Sequence, residues 1–107
     1  MSAERLGQLR TMLAEEPGDL FIRYAIALEL RREGNMEQAI EDLHAILIEE
    51  PGHIASYYQL ALMLADTGRI QQAIETCEAG AMRCLVTGDR KARAELIELK
   101  NALSEDL

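Results

Sequence analysis

The chain is poor in the side chains that most often carry nucleophilic or metal chemistry: it has two histidines and two cysteines, and neither kind is clustered. His44 falls on a helix exterior and His53 in a turn, and neither has an obvious thiol partner, so nucleophilic catalysis finds no support among these residues. There is no CxxC, no HxxxH and no acidic loop of the calcium pattern. Glu41, Asp42 and His44 are neighbours in sequence but point around a helix instead of converging. The seven glycines are scattered at turns and helix ends and form no phosphate loop. The expectation is a protein with no catalytic residue, no metal, no cofactor and no small-molecule substrate. Cys77 and Cys84 lie on one helix, separated by roughly 10 Å of rise, too far for a disulfide. They read as small buried hydrophobes.

Positive charge is also scarce. Lys and Arg total 11 against 19 for Asp and Glu, and a formal charge of -8 is repelled by phosphate backbones and anionic lipid. Nucleic acid and membrane partners are therefore not expected. The first residues, MSAERLGQLR, are charged where a signal peptide is apolar, and no apolar stretch approaches membrane-spanning length. A cytoplasmic setting fits both facts. Apolar residues at 49% and charged residues at 28% give a globular balance, and 107 residues make one domain able to bury a core. The acidic surplus concentrates in residues 17–51, where Asp19, Glu29, Glu33, Glu37, Glu41, Asp42, Glu49 and Glu50 face three arginines. These carboxylates read as a solvated helical face, or as a surface that guides a partner.

The chain also repeats itself. Shifted by 34 residues, Glu15, Glu16, Pro17 and Gly18 fall on Glu49, Glu50, Pro51 and Gly52, and Gln38, Ala39, Ile40 and Glu41 fall on Gln72, Ala73, Ile74 and Glu75. Tyr24 pairs with Tyr58, Ala27 with Ala61, Leu28 with Leu62, Leu30 with Leu64 and Gly34 with Gly68. Each unit reads as a helical hairpin, because apolar residues recur at helical spacing on both sides of a central glycine. Ile22, Ile26 and Leu30 mark the leading helix, and Met36, Ile40, Leu43 and Leu47 the trailing one. Gly34 is the left-handed stop, Asn35 with Gln38 the expected cap of the next helix, and Asp19 the cap of the first. Pro51 ends the trailing helix. Residues 2–16, with Leu6, Leu9 and Leu13, and residues 88–104, with Ala92, Leu96, Leu99 and Leu103 and Asp89 as cap, read as amphipathic helices sealing the two ends. The organisation is one domain of six helices: an N-terminal helix, repeat 1 over 17–51, repeat 2 over 52–86, and a C-terminal capping helix.

This period resembles the tetratricopeptide repeat. The family's Leu-Gly pair is matched by Ile26-Ala27 and Leu60-Ala61, its Tyr place by Leu30 and Leu64, its Ala place by Ala39 and Ala73, and its Phe place by Leu43 and Cys77. Pro51 matches the closing Pro. Leu85 replaces it in the second unit, which implies a last repeat helix that runs longer or exits differently. Arg23 and Tyr57 stand where Trp would be. The resemblance covers residues 17–86 and implies an all-α superhelix of about six antiparallel helices that acts by binding protein, with Cys77 inside a hairpin where an apolar setting makes a thiol inert.

The leading helices are more apolar than a single core stripe requires. Phe21, Tyr24 and Leu28 recur on the first, and Ala55, Tyr58 and Leu62 on the second, at i, i+3 and i+7. In the family these places line a concave groove that receives a peptide or a helix. Arg31, a turn beyond Leu28, is the candidate to meet an acidic partner group. The alternatives for the same stripe are a self-association face in a homo-oligomer and a seat for the helix of residues 89–104 folded back. Family members that clamp the C-terminal carboxylate of a heat-shock partner use Lys and Asn side chains, and the matching places here hold Tyr24, Leu28 and Gln59. Capture by apolar contacts is expected instead.

Overall fold

A computed structural model describes residues 2–105, with side chains from residue 4 onward. Among the described residues there are six helices: α1 (Ser2–Glu15), α2 (Leu20–Arg32), α3 (Met36–Glu49), α4 (Ile54–Asp66), α5 (Ile70–Thr87) and α6 (Arg90–Ser104). They stack in chain order into a slab of 40 × 29 × 20 Å, in which each helix packs on its sequence neighbours and α6 also touches α4.

The hairpin turns follow from two glycines. Gly34 and Gly68 take positive φ, 83° and 82°, a conformation that a Cβ disfavours. The chain then folds back so that Asn35 N donates to Leu30 O and Arg69 N to Leu64 O, both at 2.8 Å, closing α2 and α4 in the same way. Asp19 caps α2 as expected, accepting from Ile22 N at 3.0 Å, and Asp89 caps α6, accepting from Ala92 N at 3.1 Å. The cap expected from Asn35 with Gln38 does not form. Asn35 makes no side-chain cap bond, and Gln38 donates to Asp42 one turn along the exposed side of its own helix, at 2.8 Å.

Between the helices lies one aliphatic core. Ala27, Ala39, Ala61 and Ala73 are fully buried, and their small side chains let paired backbones approach, while Leu43, Ile46, Leu60 and Leu64 fill the space between pairs. From α1, Leu6 and Leu9 close one end, and from α6, Leu96 and Leu103 close much of the other. With Leu85 in place of proline, α5 runs 18 residues against 14 for α3.

Three features of the core carry more than aliphatic packing. Glu29 is 4% exposed and sits between Arg5 at 3.1 Å and Arg32 at 3.4 Å, so the acid pins α1 to α2 instead of contributing to the solvated face. Ser56 is buried with its Oγ 2.8 Å from His53 Nδ1. Gly80, inside α5, lies against α4 and α6 so closely that a Cβ there would come within 2.7 Å of Tyr57 Cβ and 2.9 Å of Leu96 Cδ1.

Candidate partner-binding face

The leading helices α2 and α4 are held side by side by polar straps. Arg31 donates to Gln59 Oε1 at 3.1 Å and to Asp66 Oδ2 at 3.0 Å. The Tyr24 ring meets the His53 imidazole at a centroid distance of 5.3 Å, tilted by 53°. Burial pushes the Tyr24 phenol above its ordinary pKa, partly offset by a hydrogen bond with Gln59. Loop 50–53 is ordered by Gly52 N donating to Glu50 Oε1 at 3.1 Å and by the Tyr57 hydroxyl donating to Pro51 O at 2.6 Å. The start of α4 is thereby fixed relative to the end of α3.

On this frame the seven candidate residues fare differently. Phe21 projects from the first turn of α2 and is 76% exposed, an apolar ring with no role in the core. Tyr24, Leu28 and Tyr58 are half-buried, each with one side against the core and the other in solvent, Leu62 is half-buried, and Ala55 is exposed. Arg31 is already engaged: the charge expected to meet a partner's acid is matched by Asp66 of the chain itself. Helix α6 stacks on α5 and the adjoining side of α4, leaving Phe21 open.

The acidic first repeat is also partly committed. Glu49 pairs with Arg23 at 2.7 Å, and Glu37 pairs with Arg69 across the hairpins. Cys77 and Cys84 are free, buried thiols. Burial, with a smaller contribution from Glu78, pushes Cys77 up to about 11, and burial also raises Cys84. Neither offers a thiolate near neutral pH. Among the described residues no three His, Cys, Asp or Glu side chains come together as a metal site, and no helix is long and apolar enough to cross a membrane.

The repeated hairpin, its glycine closures and its stacking order coincide with a match of the family model described as tetratricopeptide repeat to residues 30–105. The chain belongs to the tetratricopeptide repeat family. A tetratricopeptide repeat domain protein from Salinibacter ruber, solved by NMR, is 28% identical, with 81% of this chain and 88% of that one covered and a TM-score of 0.79. A protein from Bordetella parapertussis is 21% identical over 94% and 88% of the two chains, with a TM-score of 0.83. The TPR2B domain of yeast Sti1, solved as a complex with pHsp70, is 17% identical over 99% and 85%, with a TM-score of 0.88. No curated protein matches. The tetratricopeptide fold is that of a protein-interaction module. Glu29, Gly80 and Ser56, which hold this fold together, were not singled out by the repeat pattern; their signal is that each breaks it, facing Met63, Ile46 and Ile22 at the 34-residue shift.

Proposed function

We propose that the protein binds a helix or extended segment of another protein across the face formed by Phe21, Tyr24 and Leu28 of α2 and Tyr58 and Leu62 of α4. The observation that carries this reading is the exposure of Phe21 on a helix that also bears half-buried Tyr24 and Leu28, beside an α4 that bears half-buried Tyr58 and Leu62. An exposed ring there adds nothing to folding and offers a large apolar contact to a partner. The yeast Sti1 domain of the same fold is solved with a bound partner. A terminal carboxylate is a poor match for this face, because Gln59 is used by Arg31 and the neighbouring places are Tyr24 and Leu28. The two free, buried cysteines agree with a reducing compartment such as the cytoplasm.

A photo-crosslinking side chain at position 21 tests the reading directly. It should trap a discrete protein adduct that Tyr58→Ala diminishes, with helical content unchanged by circular dichroism. If the adduct is the chain's own dimer, and the mass by light scattering rises with concentration, the face belongs to a homo-oligomer instead. Adducts that survive Tyr58→Ala unchanged would refute the assignment.

A further inference from the structure

We infer a second docking site, at the outer side of α5 and α6, for an amphipathic helix with an apolar stripe flanked by acidic residues. A groove of about 270 Å³ runs between these helices, floored by Cys77, Ala81, Met82, Leu85 and Ile97 and edged by Glu78, Arg93 and Lys100. Beside it Met82, Leu85 and Val86 are exposed, Val86 at 79%. That makes it a second place on this small protein where large apolar side chains gather in solvent.

Repeat geometry says what shape fits. Aligned by their N-caps, His53 and Asp89, α4 and α6 put Arg93, Ile97 and Lys100 at the places of Tyr57, Ala61 and Leu64. On α4 those three are buried, Tyr57 lies directly against Gly80 of α5, and Leu64 shares a cleft with Gln72, Glu75 and Ala79 of α5. The α6 counterparts all line the groove. The groove is therefore shaped as the seat of a trailing helix, and a helix of that kind is the ligand it accommodates.

Charge says which helix. Lys100 is matched by Glu78 at 3.0 Å, whereas Arg90 and Arg93, which edge the adjoining depression, have no acidic side chain within salt-bridge distance among the described residues. On a chain of net charge -8, Arg90 and Arg93 leave one side of the apolar floor basic, complementary to acids flanking an apolar stripe.

The probe is a fluorescently labelled synthetic peptide of residues 35–50 of this chain, itself an acidic trailing helix with Ile40, Leu43 and Leu47 as its stripe, titrated into the intact protein. Saturable anisotropy is expected. Arg93→Glu should weaken it about tenfold, Ile97→Glu about thirtyfold, and replacing the peptide's acids by glutamine should also weaken it. Amide resonances around residues 77–85 and 93–100 should shift on titration. The assignment is overturned by no saturable binding at millimolar peptide, by binding indifferent to Arg93→Glu, or by shifts centred on Phe21, Tyr24 and Tyr58. A concentration-dependent dimer broken by Ile97→Glu would give the groove to a second copy, also against the proposal. Arg93 is exposed, so its variant tests binding without disturbing the fold.

Discussion

The two repeats share a backbone plan and differ in what fills it. Repeat 1 places Arg23 and Ile46 where repeat 2 places Tyr57 and Gly80. In the first, a bulky aliphatic on α3 occupies the interior while Arg23 reaches out to Glu49. In the second, the tyrosine ring takes the interior, and only the missing side chain of Gly80 makes room for it beside Leu96. Similarly, buried Glu29 of repeat 1 stands at the repeat position that buried Met63 holds in repeat 2. One fold thus accepts an ion pair or a thioether at one place, and a large-small or small-large pair at another, provided that the partners change together.

Exchanging residues between repeats tests this rule, and the largest effect should come from Gly80. Gly80→Ile, importing the repeat 1 residue, should lower stability by ~3 kcal/mol or more in urea titrations, since even a Cβ collides with Tyr57 and Leu96. Adding Tyr57→Arg should recover part of the loss, and a strictly additive double mutant would break the comparison. Glu29→Ala should cost about 2 kcal/mol through an unfilled space and a lost charge-assisted bond. Glu29→Met, the repeat 2 residue, should remain within about 1 kcal/mol of the parent. Capping should differ between helices: Asp19→Ala should cost ~1 kcal/mol, whereas Asn35→Ala, which removes no cap bond, should stay within ~0.5 kcal/mol.

The last effect is one of pH. Cys77 stands at the place of Leu43, and burial raises its pKa from 9.0 to about 11. The unfolded chain therefore ionises this thiol first, so stability is full below pH 9 and falls between about pH 9 and 11. Tyr24 and Tyr57, also raised by burial, add to the decline above pH 10. Thermal melts across that range should show the fall, and Cys77→Ala should flatten its first part. A disulfide-exchange reagent at pH 8 should label neither cysteine until the protein unfolds.

Much of this fold was legible before any coordinates, because its determinants are local and repeat. Gly34 and Gly68 announce their turns, Asp19 and Asp89 their caps, and alanines at a fixed period the close helix contacts. The absence of proline at Leu85 left a longer helix or a different exit open, and α5 runs longer. What escaped depends on which neighbour a side chain meets across the stack. Gln38 had an acceptor in its own helix, Arg31 found Asp66, and Glu29 found Arg5, and none of these pairings follows from helical spacing alone. The groove between α5 and α6 was missed for the same reason: its walls come from helices read separately, and Ile97 lay outside the stripe assigned to the closing helix. The proposed partner face rests on a surplus of apolar residues already visible in the sequence, while the distinction between open Phe21 and half-buried Tyr24 required the stack.

Stacking almost wholly between chain neighbours also bears on how the molecule comes into being. No segment must wait for a distant one: α1, α2 and α3 can bury Leu6, Ile26 and Leu43 among themselves before α6 has left the ribosome, and each later helix adds to a surface already formed. Assembly of this kind proceeds in the order of synthesis, with little loop-closure entropy at any step.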